Sequence, residues 1–210
     1  MGIVADTLEV RWFYPGPVPE IATDWFLDAP EPAITESRTD AYLDVPGRDD
    51  LGVKVRAGSL LELKWRTGIR ARPGLAEGFD GRVESWTKWG FSLQPMETVS
   101  GVGLREWLSV EKTRRSRFYE VSGDEGTIQG LATSGLPTGS GCAAELVEVR
   151  VGTEVAWGVG FEAFGTAPDL LAVLIAGMEA FAADTPLGTL EFGIRDSYSY
   201  PAFLSRWPPR

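Results

Sequence analysis

The sequence predicts an α+β domain dominated by strands, and three observations carry that reading. Short runs alternate apolar and charged residues with a period of two, as a half-buried strand does. The 25 glycines and 14 prolines punctuate those runs with turns. Only one segment, close to the C-terminal end, repeats its apolar residues at clear helical spacing. Residues 1–210 suffice for a single core, and nothing along the chain marks a domain boundary.

Taken in order, residues 7–13 set Leu8, Val10 and Trp12 on one face and Glu9 and Arg11 on the other. Prolines 15, 17 and 19 make a loop, a short segment around Trp25 fits more than one state, and Pro30 and Pro32 follow. Strands are expected at 38–43, 53–56 and 61–66, the last two forming a hairpin about Ala57-Gly58-Ser59. The stretch 68–81, rich in glycine and basic residues, reads as a loop. Further strands are expected at 82–93, 106–115, 117–121, 143–151 and 154–164, with 123–141 as a mobile connection. Residues 168–183 read as a helix capped by Thr166, with Leu170, Leu171, Leu174, Met178 and Phe181 along its packed face.

Composition removes whole classes of function. A formal net charge of -10 opposes coating of DNA or of an anionic membrane. The absence of histidine removes imidazole bases, serine-histidine catalysis and histidine zinc sites. Cys142 is the only cysteine, which excludes an intrachain disulfide and reads as a buried structural thiol. No signal segment is read at the N-terminus, and the apolar run 170–178 is too short to cross a bilayer, so cytoplasmic residence is expected. Chemistry is left to carboxylates, lysines, arginines, tyrosines and a hard metal ion.

The charged faces are the informative feature. Glu9 and Arg11 share a face, as do Lys54 and Arg56, and Glu62, Lys64 and Arg66. On an open sheet these would be solvated cross-strand pairs, each contributing about 0.2–1 kcal/mol. In a closed barrel with the charges inside they would gather around an anion, arginine binding phosphate bidentately. Lys112, Arg114, Arg115 and Arg117 put four basic residues within six; as a strand, Lys112 and Arg114 face one way and Arg115 and Arg117 the other. That cluster suits either an anion site or an edge strand guarded against aggregation. Glu145, Glu148 and Glu162 add carboxylates among apolar residues, Glu162 lying between Phe161 and Phe164.

In their order, Thr7-Leu-Glu9-Val-Arg11, Arg38-Thr-Asp40-Ala-Tyr42-Leu-Asp44, Leu51-Gly-Val-Lys54-Val-Arg56, Leu61-Glu62-Leu-Lys64-Trp-Arg66, Lys112-Thr-Arg114, Glu145, Phe161-Glu162 and residues 196–204 form a recognisable series. The series resembles the CYTH-like superfamily, the triphosphate tunnel metalloenzymes. The resemblance implies an antiparallel β tunnel or barrel of about eight strands, with helices packed outside. It implies a phosphorylated ligand, such as tripolyphosphate or a nucleoside triphosphate, held with Mg2+ or Mn2+. Arg11, Lys54, Arg56, Lys64, Arg66, Lys112 and Arg114 would then bind substrate. Glu9, Glu62, Glu145 and Glu162 would hold metal, Glu9 and Glu162 acting in catalysis.

The chain departs from the family's Glu-x-Glu-x-Lys signature, with Thr7 for the first glutamate and Arg11 for the lysine. Its terminal Glu-x-Glu is reduced to Gly160-x-Glu162. Two functions therefore stand side by side: a metal-dependent phosphohydrolase, and a binder of phosphorylated ligand without hydrolysis. A barrel for an apolar ligand, tryptophans inward, is the third. The assembly stays open, with a homodimer among the options.

Overall fold

The computed structural model describes residues 3–29, 31–93, 107–124 and 127–206. The strands are β1 (Ile3–Pro15), β2 (Ile34–Leu43), β3 (Leu51–Arg56), β4 (Leu60–Ala76), β5 (Phe79–Ser92), β6 (Trp107–Asp124), β7 (Thr127–Thr133), β8 (Gly141–Val151) and β9 (Glu154–Phe164). The α-helices are α1 (Glu20–Leu27), α2 (Leu170–Asp184) and α3 (Tyr200–Arg206), and a 3-10 turn spans Ile194–Asp196. Every strand pairing is antiparallel, in the order β2-β3-β4-β5-β1-β9-β8-β6. Pairing of β2 with residues 107–116 of β6 closes the ring into an eight-stranded barrel. The far half of β6 outruns β2 and pairs instead with β7.

The period-two pattern dictates which side chains face inward. In the β1–β9–β8 wall, Glu9 lies opposite Glu162, and Arg11, Gly160 and Glu145 form one cross-strand row. Their neighbours Val10, Trp12, Leu146, Val159 and Phe161 point outward into the main core. There α1 and α2 cover them, with Phe79 and Phe192 stacked at 5.1 Å between ring centres. Gly177 lets α2 press close to the wall, because a side chain there would run into Cys142. Cys142 is accordingly a buried free thiol.

A second, smaller core of Phe13, Tyr42, Val110, Val147, Val149, Phe203 and Leu204 packs α3 against one end of the barrel. Among the described residues nothing covers the outer face of the β3–β5 wall in this way: Trp65 and Phe91 are 54% and 42% exposed. Helices outside the barrel are therefore the case for only part of its circumference.

Several expected boundaries move. Residues 68–76 continue β4 rather than looping out, because a bulge between Arg66 and Gly68 lets the pairing with β5 resume. The two expected strands at 106–115 and 117–121 are one strand, β6; Glu106 itself lies outside the described residues. The connection at 123–141 contains β7. The segment around Trp25 is α1; the carbonyls of Phe26 in its last turn and of Ala29 just beyond it accept from the Arg117 guanidinium. Helix α2 is capped by Asp169, not Thr166: its carboxylate accepts from the backbone N–H groups of Leu171 and Ala172. No helix among the described residues is long and apolar enough to cross a membrane.

Candidate functional site: a charged barrel lumen

Inward-facing residues of the barrel strands, with Tyr200 and Pro201 of α3, line a cavity of about 80 Å³. Eight lysines and arginines meet four glutamates in its lining, a positive excess inside a chain of formal net charge -10. Of the residues singled out in the sequence, Glu9, Arg11, Lys54, Arg56, Glu62, Lys64, Lys112, Arg114, Glu145 and Glu162 all line it. Arg66 does not; its guanidinium donates to Glu84 and to Asp49, both at 2.9 Å. The tryptophans do not gather inside: Trp86 lines the lumen, while Trp12, Trp25 and Trp157 belong to the outer core.

The β1–β9–β8 side is built around Arg11. Its three nitrogens donate to Glu9 at 3.2 Å, Glu145 at 2.8 Å and Glu162 at 3.4 Å. Lys64 adds pairs to Glu9 at 3.0 Å and Glu162 at 3.7 Å, and Arg114 adds one to Glu145 at 3.1 Å. Burial works against the charges of Arg11, Lys64, Glu145 and Glu162, but their partners outweigh it. Arg114, Lys112 and above all Arg11 hold the Glu145 carboxyl down at about 2. Glu162 is held well below the carboxylate range, against its burial, chiefly by Lys64.

The opposite side inverts this arrangement. Lys54, Lys88 and Arg56 surround the single carboxylate of Glu62, at 2.9, 3.3 and 3.8 Å. Burial would raise Glu62, yet the three cations hold it at about 2. Lys54 in turn is brought down to about 8, mainly by its own burial and only partly restored by Glu62. In the lumen two guanidinium donors, Arg56 Nε and Arg114 Nε, are buried with no hydrogen-bond partner among the described residues, as is Glu62 Oε2, 3.8 Å from Arg56 Nε.

Lys112 sits deepest, its ammonium donating to the Tyr42 hydroxyl and lying 3.4 Å from Asp40 and 3.9 Å from the Tyr200 ring centre. Burial, with the charge of Lys54, pushes it well below the lysine range, against the pull of Asp40 and Glu145.

Sequence reasoning missed Arg38, Tyr42, Trp86, Lys88 and Tyr200 as lining residues. A signal existed for two of them: Glu84, Trp86 and Lys88 recur every second residue on β5 and share the inward face with Glu9. Tyr200 arrives on α3, which no strand period announces.

The carboxylates that would hold a divalent ion are Glu9, Glu145, Glu162 and Glu62, and each already faces at least one cation. Among the described residues no group of three or more acidic side chains is disposed to hold a metal ion. The oxygen shell of Mg2+ would have to be taken from Arg11 and its neighbours. No protein-family model matches the chain, and a search of curated proteins gives no match either.

Proposed function

We propose that the lumen is a binding site for a small polyanion, a tripolyphosphate or another phosphate-bearing ligand of the kind the CYTH-like resemblance implies. The observation that carries this reading is the pair of unpartnered buried donors, Arg56 Nε and Arg114 Nε, in a cavity with an excess of positive charge. A buried guanidinium donor without an acceptor costs free energy. Phosphate oxygens supply acceptors, and the bonds are charge-assisted. A ligand there competes with the internal carboxylates for the lysine and arginine side chains. Glu62 is thus the ligand's competitor for Lys54, Lys88 and Arg56.

Binding is favoured over hydrolysis. Glu9 and Glu162 were the expected catalytic carboxylates, and both are already engaged by Arg11 and Lys64, from which hydrolysis would have to free them. The test is a thermal-shift series with tripolyphosphate, a nucleoside triphosphate and a fatty acid, each with Mg2+, with Mn2+ and with chelator. Tripolyphosphate should stabilise the protein, by about 2.7 kcal/mol at a hundredfold excess over Kd. Arg56→Ala and Arg114→Ala should each reduce the shift more than Arg66→Ala does. Stabilisation by the fatty acid alone would remove the anion reading.

A further inference from the structure

We infer that Arg11 is a built-in cation occupying the place of a divalent metal ion, so that this lumen takes its phosphate ligand without metal. The inference rests on the anion-site reading for its ligand, and on geometry for the role of Arg11.

Three carboxylates from three adjacent strands converge on one buried guanidinium: Glu9 of β1, Glu162 of β9 and Glu145 of β8. The CYTH-like resemblance makes them metal ligands, and here they close on a guanidinium instead. Arg11 reaches Glu145 by lying across β9, in the row Arg11–Gly160–Glu145. Gly160 is what allows this. A Cβ at that position would stand 2.7 Å from Arg11 Nη1 and 3.0 Å from its Cγ. Two of the three departures from the family signature, Arg11 and Gly160, are therefore in contact, and the absence of a side chain at position 160 leaves the space that Arg11 fills.

Charge agrees with geometry. Glu9, Glu145 and Glu162 are paired with Arg11, Lys64 and Arg114, the last shared with Glu36 at 2.6 Å. Carboxylates already paired in this way offer a dication little net attraction to repay the loss of its water. The planar fork of arginine also satisfies several carboxylate oxygens at once, as a lysine cannot.

The experiment combines calorimetric titration of Mn2+ into the wild type and Arg11→Ala with tripolyphosphate binding measured in chelator and in Mg2+. The wild type should show no saturable Mn2+ site. Its tripolyphosphate affinity should change by less than about twofold on chelation. Arg11→Ala frees three carboxylates and should bind Mn2+ more than about tenfold tighter than the wild type. If that variant folds poorly, Arg11→Gln keeps much of the bulk without the charge and should show the same gain. A stoichiometric Mn2+ site in the wild type that is lost in Glu162→Gln would overturn the inference. So would tripolyphosphate binding that disappears in chelator. If tripolyphosphate binds under neither condition, the anion reading fails, while the Mn2+ comparison still decides the role of Arg11.

Discussion

The two walls of the lumen use the same chemistry in opposite proportions. On the β1–β9–β8 wall three carboxylates enclose one cation, and on the β3–β4–β5 wall three cations enclose one carboxylate. Their centres and rims differ in exposure. Arg11 and Glu145 are 9% and 11% exposed, while Glu162, Lys64 and Arg114 at the rim of the first cluster are 23%, 21% and 26% exposed, and Lys54, Arg56 and Lys88 are 19%, 30% and 31% exposed. The centre of the first cluster serves as structure, and Arg114 at its rim also faces the lumen. The second is under-neutralised and within reach of solvent, which is the condition for taking a ligand.

The largest expected effect breaks the closed wall. Arg11→Ala leaves buried carboxylates short of their shared partner and should cost about 3–5 kcal/mol of stability, measured by urea denaturation. Gly160→Ala should also destabilise, because its methyl group displaces the guanidinium. Equal losses from Arg11→Ala and Lys88→Ala would contradict the distinction between the walls. The next effect sharpens the open wall. Glu62→Gln removes the internal competitor and should tighten tripolyphosphate binding by roughly three- to tenfold in calorimetry. Weaker binding in that variant would show that Glu62 orients the cations rather than competing for them.

The smallest effect lies between the walls, at Glu84, directly opposite Glu9. Burial, with the charge of Glu9, raises the Glu84 carboxyl from 4.5 to about 7, despite Arg66 at 2.9 Å. The unfolded chain releases this proton near 4.5 and the native chain only near 7, so between those values the native state binds more protons. The contribution is present below pH 4.5 and is lost as the pH rises through 7. Glu62 and Glu145, held at about 2, act in the other sense, stabilising above 4.5 and losing that as the pH falls through 2. Glu84→Gln should therefore recover ~1–2 kcal/mol at pH 8 and much less at pH 5. The check is a pair of denaturant titrations at the two pH values.

The alternation at Leu8-Glu9-Val10-Arg11-Trp12 and at Leu61-Glu62-Leu63-Lys64-Trp65 made the inward faces legible, because a period of two fixes which side chains travel together. Closure was not legible in that pattern, since an open sheet and a barrel share it. The pairing of β2 with β6 decides it. The extension of β4 through Gly68 and Gly74 was hidden because glycines that mark a bulge look locally like those of a loop. Gly160 stood out as a departure, but its meaning depends on Arg11 lying across the neighbouring strand, a contact between residues 149 positions apart. Tyr200 was hidden for a similar reason, as it reaches the lumen from a seven-residue helix at the barrel's end.

The central claim, that the under-neutralised wall is an anion site, is tested most directly by a crystal structure of the protein soaked in tripolyphosphate with chelator present. The account expects phosphate density inside the barrel, within hydrogen-bond reach of Arg56 and Arg114, with Lys54 and Lys88 turned from Glu62 toward the ligand and Arg11 still bound to Glu9, Glu145 and Glu162. An unchanged lumen, with the Lys54–Glu62 and Lys88–Glu62 pairs intact and phosphate only on the outer surface, would contradict it.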